Sequence, residues 1–273
     1  MQIFPKERYK EMVPFFARFP HQIISKSVLA GYTKGTVYAD KVSTPTASLL
    51  NGLGFEILVA GDAGNRSFSE EAADYIANQA VPAAKEAGAP LLTVYPETYQ
   101  WVHTLQKRLD ERVGYISKKS KQFYALKAHQ FKKYHKALPE YASLRAIDAD
   151  LLKDETLLNR DHLQKWIETS WTSMDAFFQK GLGYCVIEDG TIAHWCLAIF
   201  AAGAKLEFAL MTVDGYQGKG YAKAGASACM EQAIADGKVP LWNCNKENAA
   251  SIAVAEALGF EKRRDYELFE IKL

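Results

Sequence analysis

The chain has 273 residues, of which 48% are hydrophobic and 24% charged, and its net charge is +1. That length allows one large domain or two smaller ones, and the composition excludes disordered and fibrous classes. No secretory leader pattern opens the sequence and no apolar run approaches the ~18 residues of a membrane span, so a cytoplasmic protein without membrane association is expected.

The charge is unevenly spread. Residues 1–139 hold 19 Lys+Arg against 12 Asp+Glu, giving +7, whereas residues 140–273 hold 14 against 20, giving −6. Two domains, 1–139 and 140–273, joined near Pro139, account for this asymmetry. The four cysteines, Cys185, Cys196, Cys229 and Cys244, lack C-x-x-C or Cys/His metal spacing and read as small buried thiols, so no metal is expected.

In chain order, Thr36–Ala39 and Ala47–Leu50 read as a hairpin and Phe55–Val59 as a strand. A helix follows from about Ser69 to Lys85, then a strand over Pro90–Tyr95, a helix over Glu97–Leu109 and a strand over Gln122–Leu126. The second half opens with a strand over Ser143–Ile147 and helices over Asp161–Trp171 and Ser173–Phe178. Tyr184–Glu188 and Thr191–Phe200 flank Asp189-Gly190, a strong hairpin signal, and Lys205–Val213 is a further strand. After a Gly-rich loop come an Ala-rich helix over Tyr221–Ala235, a strand over Val239–Cys244, a helix over Ala249–Leu258 and a strand over Arg264–Leu273. The order β-α-α-β-β-β-α-β-α-β is a mixed α/β layer fold. A shift of about 150 positions brings Pro90-Leu91 onto Pro240-Leu241 and Glu97 onto Glu247, and Glu56 falls beside Glu207, which suggests a degenerate internal duplication.

The loop between strand and helix reads Gln217-Gly218-Lys219-Gly220-Tyr221-Ala222. The first amides of a helix have no partner within it, and the aligned peptide dipoles favour negative charge there. Gly218 and Gly220 allow a close approach to an anion, and Lys219 can add a charge-assisted contact.

This loop, Q-x-x-G-x-A, together with Asn248, Ser251 and Gly259-Phe260 at their spacing, resembles the GNAT superfamily of N-acetyltransferases across residues 140–273. Trp171-Thr172-Ser173, Phe177, Gly181, Gly183-Tyr184-Cys185 and Trp242-Asn243-Cys244 are similar to the branch that includes zwittermicin-resistance acetyltransferases. The resemblance implies a GNAT fold in the C-terminal half, acetyl-CoA as cosubstrate, and transfer of its acetyl group to a primary amine of a small molecule or peptide. Main-chain groups of Met211, Thr212 and Val213 would then bond the pantetheine arm. The amides of Gln217, Gly218, Lys219, Gly220, Tyr221 and Ala222 would hold the pyrophosphate. Asn248 would contact the arm near its thioester, with Ser251 beside it on the same helical face.

Glu207, on the strand leading to the loop, is the candidate base, either directly or through a water; a solvent-facing or ion-paired glutamate is the other reading. Ala255 stands where many members of the family carry a tyrosine that protonates the leaving thiolate. Ser251, Cys244 or a water could replace it, or the thiolate could leave unassisted. The same departure favours an alternative, a catalytically silent acyl-CoA-binding sensor or partner module. His194, Trp171, Trp195 and Trp242 read as core residues.

In the first half the matching loop, Gly61–Ser69, lacks the pattern and carries Asp62, so this half is expected to be GNAT-like but to have lost cofactor binding. It would shape the acceptor pocket or an oligomer contact, with a homodimer one open assembly. Lys118, Lys119, Lys121, Lys127, Lys132, Lys133 and Lys136 form a run without acids, interleaved with Phe123, Tyr124, Phe131 and Tyr134. Such a run suits nucleic acid. The near-neutral chain favours a solvated basic linker helix instead, although the run could also draw an anionic acceptor.

Overall fold

In the computed structural model, which describes residues 1–19, 21–114 and 116–273, the chain forms two packing units. The first comprises Met1–Lys121 with Tyr266–Leu273, and the second Gln122–Asp265. This differs from the halves 1–139 and 140–273 expected from the sequence, since residues 122–139 fall in the second unit and Tyr266–Leu273 in the first.

The first unit runs β1 (Gln2–Ile3), α1 (Ile24–Leu29), β2 (Gly35–Ala39), β3 (Ala47–Gly52), β4 (Glu56–Gly61), α2 (Arg66–Tyr75), α3 (Val81–Glu86), β5 (Leu91–Pro96) and α4 (Tyr99–Val113). Neighbouring strands from β1 to β4 are antiparallel, and β4 pairs β5 in parallel. The helix expected over 69–85 is split by a π-helical turn, Ile76–Ala80. Pro82 explains this: it has no N–H for the carbonyl four residues back, so the α ladder cannot run through it. Phe68, Ala72 and Ile76, and Trp101, Leu105 and Leu109, recur at helical spacing and bury against Ile57, Val59, Leu92 and Val94.

The second unit draws on β6 (Ser117–Ala125), β7 (Ala142–Ala146), α5 (Ala149–Lys153), α6 (Arg160–Ser170), α7 (Met174–Lys180), β8 (Gly183–Glu188), β9 (Thr191–Ala202), β10 (Lys205–Thr212), α8 (Tyr221–Ala235), β11 (Val239–Asn245), α9 (Ala249–Ala257) and β12 (Glu261–Lys272). Strands β7 to β10 form an antiparallel meander, β10 pairs β11 in parallel, and β6 lies beside β11. The β8–β9 turn falls on Asp189-Gly190, both at positive φ (45° and 74°), as a two-residue hairpin requires. The order β-β-β-α-β-α-β, first in β2 to β6 and again in β8 to β12, bears out the internal repeat, with α3 an added turn in the first copy.

The final residues of β12, from Phe269 to Lys272, pair antiparallel with β5 inside the first unit. Among the described residues no helix is long and apolar enough to cross a membrane.

The basic linker helix is corrected. Lys118, Lys119 and Lys121 lie in strand β6, Ala128–Gln130 form a single 3-10 turn, and residues 131–139 have no helix or strand. The lysines recur without an apolar stripe at helical spacing, and Phe123 and Tyr124, aromatic strand formers, are buried in β6.

Candidate active site

Strand β10 carries the site because its two edges behave differently. Its parallel pairing with β11 runs from Lys205↔Val239 to Phe208↔Trp242. Its antiparallel pairing with β9 continues to Thr212↔His194, and Val213 N–H donates to Ala193 O at 2.9 Å. After Phe208, therefore, β10 parts from β11, and the β11-side edge of Met211, Thr212 and Val213 leaves the ladder, with all three residues only partly buried.

The loop follows directly. Gly215, Gly218 and Gly220 hold φ values of 85°, 77° and 88°, and Gly220 caps α8, whose first helical bond runs from Ala224 N–H to Gly220 O. The amides of Tyr221, Ala222 and Lys223 thus have no helical acceptor. A Cβ at Gly218 would meet nothing within 4 Å, whereas one at Gly220 would lie 2.7 Å from the Tyr134 hydroxyl. Unpaired amides at a helix N-terminus behind a glycine-rich turn favour an anion.

Two loop side chains, both on exposed residues, bond within the protein. Gln217 accepts from Gly215 N–H at 3.1 Å and donates to Asp214 at 2.9 Å, so its side chain shapes the turn. Lys219 Nζ lies 2.6 Å from Glu188 Oε1, and Tyr221 donates its hydroxyl to Glu188 Oε2 at 2.5 Å. The hydrogen bonds from Lys219 and Tyr221 hold the Glu188 carboxyl below the usual carboxylate range. Burial and Glu188 together push the Tyr221 phenol up.

Across the parting, Asn248 caps α9 by accepting from Ser251 N–H at 3.0 Å, which leaves its NH2 as the available donor. Ser251 Oγ accepts from Trp242 Nε1 at 2.9 Å. Ala255 is fully buried. Glu207 pairs Leu241 one residue before the parting and is 5% exposed, which removes the solvent-facing reading. It shares a face of β10 with Ala209 and Met211.

The expected core residues are buried. His194 is fully buried with Nδ1 2.9 Å from Thr212 Oγ1, and burial pushes its imidazole down to about 3. Trp171 Nε1 donates to Ala198 O, and all four cysteines are buried thiols outside any disulfide.

In the first unit the equivalent strands do not part. Beyond the last pair, Val59↔Pro96, Glu97 N–H donates to Val59 O at 3.0 Å. The Glu97 carboxylate accepts from Gly61 N–H at 2.9 Å, and Trp101 Nε1 donates to Gly61 O at 3.0 Å. A buried carboxylate thus sits across the gap that stays open in β10 and β11.

Glu188 and Tyr134 were not among the candidate site residues drawn from sequence. Glu188 looked like the last residue of a strand and Tyr134 like one aromatic in a basic run. Neither carries a spacing signal toward the loop.

A family model described as GNAT acetyltransferase matches residues 13–269. The uncharacterized N-acetyltransferase YdfB of Bacillus subtilis (strain 168) is 26% identical over 269 residues, covering 98% of each chain. A GCN5-related N-acetyltransferase-like protein from Streptococcus suis 89/1591 superposes with a TM-score of 0.70 at 20% identity, over 97% of this chain and 98% of that one. A tandem GNAT protein from the clavulanic acid biosynthesis pathway superposes with a TM-score of 0.60 at 13% identity, over 98% and 94%. The fold of the whole chain is therefore that of GNAT structures, including a tandem one.

Proposed function

Because the chain belongs to the GNAT acetyltransferase family, we propose that it transfers the acetyl group of acetyl-CoA to a primary amine by direct attack in a ternary complex. The observation that carries this reading is the parting of β10 and β11 beside a helix N-terminus cradled by glycines.

In this reading the freed main-chain edge of Met211, Thr212 and Val213 bonds the pantetheine arm. The amides of Gln217 to Ala222 and the Lys219 ammonium hold the diphosphate, and Asn248 and Ser251 face the arm near its end. Bound acetyl-CoA supplies a thioester carbonyl and a thiol leaving group of pKa about 8.5. Glu207 takes a proton from the acceptor ammonium, directly or through a water, so that the neutral nitrogen can form its bond to the carbonyl carbon as the C–S bond breaks. The acceptor is a small-molecule or peptide amine, and the Trp171–Cys185 and Trp242–Cys244 pattern supports a likeness to the zwittermicin-resistance branch.

The test is acetyl-CoA binding by Gly220→Val. The new side chain meets both a φ of 88° and the Tyr134 hydroxyl, so affinity should fall at least tenfold (about 1.4 kcal/mol) while the thermal melt of the chain persists. Wild-type affinity in that variant sinks the loop assignment.

The buried Ala255 supports a second reading, a silent acyl-CoA-binding module. Tight CoA binding with no thioester consumption across amino acids, polyamines, aminoglycosides and peptide N-termini would select it.

A further inference from the structure

The segment 127–138 has no regular structure beyond one 3-10 turn, yet it is fixed at five points. Gln130 O packs against Gly259, where a Cβ would lie 2.0 Å away, and Lys132 N–H donates to Leu258 O at 3.0 Å. Tyr134 N–H donates to Ser227 Oγ at 3.0 Å, and Lys133 pairs with Glu231 at 2.6 Å. Leu138 then packs against the cluster of Val186, Ala193 and Tyr221. The segment therefore runs along α8 toward its first turn.

The Tyr134 main chain is held two helical turns into α8, but its side chain points back to the start of the helix. There its hydroxyl stands 2.7 Å from where a Cβ on Gly220 would be. Position 220 is thus glycine for two reasons, a φ of 88° and a phenol against its open side. A neutral O–H at a helix N-terminus is a suitable donor to an anionic oxygen, and a ring with two side-chain torsions loses little entropy in giving it.

We propose that Tyr134 is a cofactor-binding residue whose hydroxyl donates to the diphosphate held by the Gln217–Ala222 loop. The proposal rests on the reading of that loop given above. It also assigns a task to the basic run, in which the exposed Lys132 and Lys136, two residues to either side of this tyrosine, add positive charge to the segment that carries it.

The experiment compares wild type, Tyr134→Phe and Ser227→Ala by calorimetric titration with CoA, and by competition of inorganic pyrophosphate for the same site. Tyr134→Phe keeps the ring and removes only the donor. CoA affinity should fall five- to tenfold, pyrophosphate competition should weaken by the same factor, and the melting temperature should stay within a degree or so. Ser227→Ala, which frees the Tyr134 amide, should act in the same direction with a smaller effect. Unchanged CoA affinity in Tyr134→Phe overturns the proposal, as does weaker CoA binding with pyrophosphate competition intact. Wild-type protein that binds no CoA removes the loop reading, and the proposal with it.

Discussion

Glu188 is an acid beside a loop built for an anion, and its charge needs an explanation. Glu188 is 8% exposed and its carboxylate accepts from both Lys219 and Tyr221, so it ties the loop cation and the first residue of α8 to the end of strand β8. Its folded pKa is depressed, so this support is complete above the ordinary carboxylate range and disappears as pH falls through the depressed value. A unit charge several ångströms from a diphosphate costs about 0.5–1 kcal/mol at high dielectric. Glu188→Gln keeps an acceptor for Tyr221 and releases Lys219, so CoA should bind two- to fivefold tighter, with a steeper dependence on ionic strength. Titrations at two salt concentrations test this; weaker binding at both would mean that Glu188 acts as loop scaffold and not as counter-charge. The loop residues themselves were legible in the sequence because glycines, helix and strand lie next to one another. Glu188 was not, because its link to Lys219 spans 31 positions and no local pattern encodes it.

Helix α8 shows how an element is set in place by one small residue. Gly225 lies over His194, and a Cβ there would stand 2.7 Å from both Cδ2 and Nε2 of the imidazole. The imidazole in turn meets Thr212 on β10, so helix, β9 and β10 are fixed together where β10 has already left β11. Alanine favours a helix interior over glycine by about 0.5–1 kcal/mol, but overpacking costs about 1–3 kcal/mol. Gly225→Ala should therefore destabilise the protein in urea unfolding by about 1–2 kcal/mol. The double variant with His194→Ala should cost less than the sum of the single changes. Stabilisation by Gly225→Ala alone would contradict this packing. Most strands and helices α6 to α9 of the second unit could be read from apolar alternation, hairpin dipeptides and glycine caps, whereas the short α5 could not. Those signals are local. The basic run misled because its residues suit an exposed helix, while its real anchors, Leu258 and Ser227, come from elements far along the chain.

At the scale of the molecule, the sequence repeats but the packing does not divide where the repeat does. Each copy ends in a strand after its last helix, β6 in the first and β12 in the second, and the end of β12 pairs with β5 in the first unit. Nothing in composition or periodicity reveals this, because pairing over such a separation depends on where the chain returns and not on what any window contains. The consequence is testable by truncation. Leu268, Phe269 and Ile271 are 1%, 1% and 4% exposed, and Phe269 and Ile271 belong to the apolar cluster of the first unit. Phe→Ala at such a site costs about 3–5 kcal/mol and Ile→Ala about 2–5, against a total stability of roughly 5–15 kcal/mol. Removing Tyr266–Leu273 also strips the hydrogen bonds of β5 along that edge, so residues 1–121 should lose their cooperative fold. Limited proteolysis of the truncated chain should cut within that region first and leave a resistant fragment close to residues 122–265. Phe269→Ala should show the same order of cleavage more weakly. If residues 1–121 resist protease as well in the truncated chain as in the full one, the final strand does not complete the first unit, and the stability of that unit must come from β1 to β5 and their helices alone.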